Sequence, residues 1–483
     1  MSLLPQTDEI FIAGRWRRAA NGATLPIENP STGETIGNIA RGTAADVDAA
    51  VTAARAANTG AWGRATATER GRLLARLGDL VKDNAEELAR LEVQDVGKPL
   101  RQARTDALAL ARYCEFYAGA ADKAHGQTIP YFEGYTVYTL RVPHGVTGHI
   151  IPWNYPMQII GRSLCAALAM GNATVLKPAE EACLTALAFV RLTEKAGFPA
   201  GAINVVTGIG EEAGAALSAH EGVDHVSFTG SYAVGCLVQA ATAQHAAPVT
   251  LELGGKSPQI VFDDAEIERA LPFLVNAGIQ NAGQTCSASS RILIQRRIYN
   301  NVVARIAERY RALKVGPAER DLDVGPMISA RQKSIVEGFL DTAKRDGLTV
   351  AARGEIAADA PRGGHYFAPT FIADVDPRHS LAQDEIFGPI QVAIPFDTEE
   401  EAVSIANGTP YGLVAGVWTA DGARQMRLAK AIRAGQIFVN NYGAGGGIEL
   451  PFGGFARSGH GREKGFEALY GFSTVKTVAA YHG

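Results

Sequence analysis

Between residues 145 and 228, short runs of β-branched and aliphatic residues alternate with Ala- and Leu-rich stretches of helical spacing. Two strands joined through a helix pair in parallel, and a parallel sheet needs helices over both faces. The runs 145–151, 173–176, 203–206 and 225–228 predict strands. The stretches 162–170, 184–195 and 211–218 predict the helices between them. A second strand–helix series runs from Pro258 to about Val439. The predicted fold class is therefore α/β.

The flanks add further elements. Residues 9–16 predict an edge strand closing in a Gly-Arg turn, and Asn29-Pro30-Ser31-Thr32-Gly33 predicts a turn. Three helices are expected over 44–57, 68–91 and 99–123. Residues 131–142 predict a strand or extended arm, and 472–480 another strand. At roughly 150 residues per domain, 483 residues suggest about three domains.

Composition excludes some partners. The net charge is −4 and no basic block stands out, which argues against nucleic acid. No run reaches the ~18 apolar residues of a membrane span; the stretch 164–176 is broken by Gly171 and Asn172. Met1 to Gln6 shows no leader pattern, so a soluble cytoplasmic protein is expected. The five cysteines are irregularly spaced, which suits free thiols in a reducing compartment. No metal-ligand spacing occurs, so no metal site is expected. Cys114, Cys165, Cys183 and Cys236 are expected to pack as small buried hydrophobes.

Cys286 differs from those four. It sits in Gly283-Gln284-Thr285-Cys286-Ser287, a small polar setting in which a thiol can be reached. Upstream, Leu251-Glu252-Leu253-Gly254-Gly255-Lys256 presents one carboxylate before a glycine pair. A thiol nucleophile and a carboxylate base suffice for covalent chemistry on a carbonyl.

Other motifs fall at predicted strand ends, where ligands gather in parallel sheets. In Pro152-Trp153-Asn154-Tyr155-Pro156 the Asn154 amide could donate to an oxyanion, or the segment could be a rigid turn between prolines. Lys177 and Glu180 could bond ribose hydroxyls, with the carboxylate favouring NAD over NADP, or could be surface charges at a helix start. Gly208-Ile209-Gly210-Glu211-Glu212-Ala213 matches a loose dinucleotide pattern that also serves as a plain turn. Gly230 and Ser231, in Phe228-Thr229-Gly230-Ser231, suit close approach of a pyrophosphate. Glu385-Ile386-Phe387-Gly388-Pro389 pairs a carboxylate with a ring, for a cofactor or for a turn over a buried Phe. Pro451-Phe452-Gly453-Gly454-Phe455 offers two apolar anchors, for core or for pocket wall.

In their order along the chain these motifs resemble the NAD(P)-dependent aldehyde dehydrogenase superfamily, from about Ile10 to Lys476. The resemblance implies a Rossmann-like cofactor domain over 1–121 and 143–253 and an α/β catalytic domain over 254–456. It also implies a small β oligomerisation arm over 122–142 and 470–483, joining homodimers or homotetramers. It implies that Cys286 is the nucleophile, Glu252 the base for the deacylating water, and Asn154 with the Cys286 N–H the oxyanion hole. NAD would be bound by Ile151, Trp153, Lys177, Glu180, Gly210, Gly230, Ser231, Glu385 and Phe387. Trp153 and Phe452 would flank the tunnel.

The substrate implied is a small aldehyde. The Gly443-Ala444-Gly445-Gly446-Gly447 loop has no bulky side chain, which suggests a wide entrance for a bulky or aromatic aldehyde, or simply a flexible loop. Arg162 and Arg291 could anchor a semialdehyde carboxylate or serve as scaffold. A semialdehyde or coenzyme A-acylating dehydrogenase of the same superfamily is the alternative, although the acylating branch generally lacks the base that Glu252 would be. A cysteine-dependent esterase or a non-catalytic relative is further from the pattern.

Overall fold

The computed structural model describes residues 3, 4 and 6–483. Met1, Ser2 and Pro5, part of the stretch read for a leader, lie outside the described residues. The fold is mixed α/β, as predicted, and is built on two large sheets with separate hydrophobic cores.

At the centre of the first sheet lie five parallel strands, in the spatial order Ile203–Val205, Ala173–Pro178, Val146–Ile151, His225–Thr229 and Val249–Glu252. Every residue of Val146–Ile151 and Ala173–Pro178 is buried, because helices cover both faces. Helix Ala44–Thr59 contributes Val47, Val51 and Ala54 to this core, and helix Leu184–Ala196 contributes Leu187 and Phe189.

The margins differ from expectation. The edge strand predicted over 9–16 is a hairpin of Ile10–Ile12 and Arg15–Arg17. Its first strand joins the sheet through Phe11 opposite Val205. Ala13 and Gly14 turn the chain with left-handed φ of 52° and 76°, the geometry that matches hairpin twist. At the other margin Gly459–His460 runs antiparallel to Val249–Glu252.

The single helix expected over 68–91 is two, Ala67–Asp83 and Ala85–Val96. Asn84 separates them, and its side-chain amide donates to the Leu80 carbonyl at 2.7 Å. A short polar side chain competes for backbone groups in this way. The helix expected over 162–170 begins earlier, at Pro156, and contains a π-helical turn, Ile160–Leu164. Gly161 lies against the Tyr113 ring there; a Cβ would fall 2.4 Å from a ring carbon. Thr24–Asn29 and Glu34–Ala40 form an unforeseen hairpin around the predicted 29–33 turn.

In the second, seven-stranded sheet Pro258–Val261 lies third from one margin. Arg291–Gln295 and Ile390–Phe396 lie to one side of it, and Val414–Trp418 and Gln436–Val439 to the other. A third, antiparallel sheet pairs Tyr135–Pro143 with Ser473–Tyr481 along nine residue pairs, from Ser473 opposite Pro143 to Tyr481 opposite Tyr135. Among the described residues no helix is long and apolar enough to cross a membrane.

Candidate active site

The order of the central strands fixes where a ligand can sit. From Val146–Ile151 the next two strands in sequence stack to one side, and the following two stack to the other. A crevice opens at the carboxyl ends where the order reverses. Residues 152–155, 229–231 and 252–254 leave the sheet into that crevice. From the second sheet come the loop around Cys286, then Glu385, Phe387, Phe438 and Tyr442. Together they enclose a cavity of about 520 Å³, a size suited to a small molecule.

The loop carrying Cys286 is held rigidly. Asn281, Ala282 and Gly283 take consecutive left-handed φ of 49°, 54° and 72°. Gly283 is required, since a Cβ there would lie 2.3 Å from the Gly388 carbonyl. Gln284 ties the loop in place, donating to the Asn281 carbonyl at 3.0 Å and accepting from the Ile328 N–H at 2.9 Å. Backbone strain of this kind persists where surrounding contacts over-determine it. The Asn154 amide donates to the Gln284 carbonyl at 2.9 Å, which uses one of its two hydrogens. Burial pushes the Cys286 thiol up to about 12, against the lowering influence of Arg162, so the resting sulfur is protonated.

Glu252 ends its strand 1% exposed, and neither carboxylate oxygen has a hydrogen-bond partner among the described residues. Desolvation raises its pKa well above the ordinary carboxylate range, with Arg162 opposing. Room for the side chain comes from Gly453, where a Cβ would sit 2.8 Å from Oε1. Nearby, Arg162 pairs with the buried Glu463 and donates to Thr229 Oγ1 at 3.1 Å. Glu463 also accepts from the Ser227 hydroxyl at 2.6 Å.

On the cofactor side, Trp153 meets the Phe387 ring edge-on at 5.3 Å. Glu385 accepts from the Gly255 N–H at 2.9 Å, and burial pushes its carboxyl up to about 7. Ser231 caps helix Tyr232–Ala243 by accepting from the Val234 N–H, so that helix's N-terminus opens on the cavity.

Nine of the residues singled out in the sequence therefore line one cavity: Trp153, Asn154, Gly230, Ser231, Glu252, Cys286, Glu385, Phe387 and Phe452. Ile151, Lys177, Glu180 and Gly210 stand outside its wall. Ile151 is buried in its strand opposite Pro178. Lys177 and Glu180 bond each other at 2.8 Å. Gly210 opens a π-helical turn whose Gly214 faces the Lys177 stem.

Arg291 is scaffold: its guanidinium donates to the carbonyls of Lys256, Ile405 and Ala406. Arg162 is on the cavity wall. Cys236 is exposed, against the expectation of burial, whereas Cys114, Cys165 and Cys183 are buried. Gly443 and Gly446 line the cavity, but Tyr442, Phe438 and Tyr113 also line it and supply bulk. Glu463 and Lys464 were not anticipated. Their only sequence signal is a run of three charges between Gly461 and Gly465.

A family model described as "Aldehyde dehydrogenase family" matches residues 16–478. The chain is 43% identical over 476 residues to the mitochondrial aldehyde dehydrogenase of Homo sapiens, covering 98% of this chain and 91% of that one. It is 43% identical over 472 residues to an aldehyde dehydrogenase of Emericella nidulans, covering 97% and 94%. Among solved structures, an NAD+ complex of an aldehyde dehydrogenase from Bacillus cereus superposes with a TM-score of 0.96 at 39% identity, covering 100% and 98%. A Burkholderia cenocepacia crystal structure superposes with a TM-score of 0.98 at 61% identity, covering 98% and 100%.

Proposed function

The chain belongs to the aldehyde dehydrogenase family, and from that premise we propose that it oxidises an aldehyde to its carboxylic acid with NAD, through a thioester on Cys286. The observation that carries this reading is the shared cavity of Cys286, Asn154 and an unpartnered Glu252.

Two features support a fit to NAD. The N-terminus of helix Tyr232–Ala243 opens beside Gly230, where a Cβ would strike the Phe228 ring at 2.5 Å; such an end suits a pyrophosphate. At the end of Ala173–Pro178, two strands away, the Lys177–Glu180 pair offers a cation and a carboxylate to ribose hydroxyls. Gly230, Ser231, Lys177 and Glu180 would hold the adenosine diphosphate half, and Glu385, Phe387 and Trp153 the nicotinamide half. Ile151 and Gly210 would support this site from behind. NAD, when bound, supplies the hydride acceptor. The Bacillus cereus relative carries NAD+.

The protein's residues perform the remaining work. The Cys286 thiol gives its proton to solvent, and the thiolate attacks the aldehyde carbon. The free Asn154 hydrogen and the Cys286 N–H receive the developing oxyanion. After oxidation to the thioester, Glu252 takes a proton from water, water attacks the acyl carbon, and the acid leaves. Phe452 and Trp153 wall the channel. Glu252 favours hydrolysis over transfer to coenzyme A, because a base that activates water lets hydrolysis compete with a second thiol for the acyl group.

The residue ranges 1–121 with 143–253, 254–456, and 122–142 with 470–483 are the proposed cofactor, catalytic and assembly units of a cytoplasmic homo-oligomer. The test is NADH absorbance across an aldehyde panel, with NAD and NADP side by side. Turnover with NAD is expected. Cys286→Ser should abolish that turnover and leave NAD binding intact; retained turnover in this variant overturns the reading.

A further inference from the structure

Lys464 lines the cavity with no carboxylate within ion-pair distance among the described residues. Its backbone is clamped from both sides. Phe452 and Glu463 exchange N–H···O bonds of 2.7 and 2.8 Å, and the Gly465 N–H donates to the Ile448 carbonyl at 2.8 Å. Between those bonds Lys464 takes a left-handed φ of 62°. A non-glycine residue rarely adopts this conformation, which clusters at ligand sites.

The side chain lies along the cavity wall. Its Nζ sits 5.8 Å from the centre of the Phe452 ring, and the Arg162 guanidinium sits 5.0 Å from the same ring. The two cations differ in their surroundings. Arg162 is paired with Glu463. Lys464 donates only to the Gly446 carbonyl, at 2.6 Å, which leaves two ammonium hydrogens. No carboxylate lies within ion-pair distance of it among the described residues. Glu449, Cys286 and Glu252 act on it from beyond that distance, and Arg112 already engages Glu449 at 2.5 Å. Burial, with Arg162 adding to it, pushes the Lys464 ammonium down to about 8. A partly buried cation with no ion-pair partner, beside an apolar wall, can take a charge-assisted hydrogen bond from its remaining hydrogens to an anion. Gly443 and Gly446 leave space in front of it.

We propose that Lys464 is a specificity-determining residue that anchors the carboxylate of the substrate, and that the substrate class is an aldehyde with an anionic far end. This rests on the reading that the aldehyde carbon reacts at Cys286. The reaction consumes an ω-formyl carboxylate and releases a dicarboxylate.

The test compares kcat/KM for 4-formylbenzoate against benzaldehyde, and for 5-oxopentanoate against pentanal, in the full-length protein with NAD. The expected result is a preference for the carboxylated member of at least one pair of roughly 10- to 100-fold, the range for a hydrogen bond to a charged group. Lys464→Met should collapse that ratio, mainly through KM, and Lys464→Arg should restore most of it. The wild-type preference should fall as pH rises through about 8, where the ammonium loses its proton. No preference in either pair overturns the proposal. So does a Lys464→Met variant that lowers both members equally, since that is the signature of a mere tether for the Gly446 loop. If no aldehyde turns over, the oxidation reading fails, and calorimetry with glutarate and pentanoate decides the anchor alone. Glutarate binding lost in Lys464→Met upholds the anchor; binding identical in both proteins removes it.

Discussion

At the residue scale, the chemistry depends on a carboxylate that burial disfavours. Glu252 is buried without a hydrogen-bond partner, so its folded-state pKa is raised. A raised carboxylate holds its proton to higher pH, and only the ionised form can accept a proton from water. Thioester hydrolysis should therefore accelerate as pH rises through the raised pKa. Glu252→Gln should slow steady-state turnover roughly 10²- to 10⁴-fold, the usual contribution of a general base, and leave a rapid first burst of NADH. Stopped-flow absorbance checks this; an unchanged steady state would place the base elsewhere. The fold should tolerate the change, because Gln is nearly the same size and carries no charge to desolvate. Both Cys286 and Glu252 are visible in the sequence, since a thiol among small polar residues and an acid before a glycine pair are local signals. The orphaned state of Glu252 is not visible there. It arises because Gly453, some two hundred residues later in the chain, leaves space beside its oxygens.

At the element scale, one buried ion cluster holds the helices against the cavity. Lys98 lies 3.0 Å from Glu92 Oε1 and also bonds Asp106, and all three are buried. Asp106 accepts from the Gln158 amide at 2.6 Å, and Gln158 lines the cavity. The ammonium also stacks over the Tyr155 ring at 3.9 Å. Lys98→Met leaves two buried carboxylates facing each other, and removing one partner of a buried pair costs about 3–5 kcal/mol. Denaturant unfolding should show that loss, and a change below about 1 kcal/mol would mean that the cluster is already neutral. Periodicity revealed these helices but not their breaks. Asn84 splits one helix through a side-chain bond, and the π turn at Ile160–Leu164 packs Gly161 on Tyr113, which lies far away in sequence.

At the scale of the whole molecule, the third sheet is half open. Tyr131, Phe132, Tyr135 and Tyr481 form a contacting aromatic group, and Phe132 and Tyr481 are 71% and 70% exposed. Ser473–Tyr481 is its edge strand, with unpaired backbone groups along nine residues. An exposed apolar edge of this kind is a template for pairing with another chain. The proposed assembly through this arm predicts that Phe132→Ser with Tyr481→Ser shifts the protein to a smaller species in sedimentation velocity. An unchanged sedimentation coefficient would place any interface elsewhere.

The sequence alone determined what local chemistry can determine. Strand–helix alternation set the parallel α/β class, and short motifs marked Asn154, Glu252, Cys286, Glu385 and Phe387. Tertiary structure decided which of these residues meet. It excluded Arg291 from the cavity by tying its guanidinium to three carbonyls, and it brought in Arg162 and Lys464, with Glu463 paired to Arg162 behind the wall. It also reversed the strand order beside Val146–Ile151, which is what opens the crevice. The physical reason is range. Helical spacing, turn residues and nucleophile surroundings act over a few neighbours, whereas desolvation, ion pairing and close backbone approach depend on segments that only the folded chain brings together.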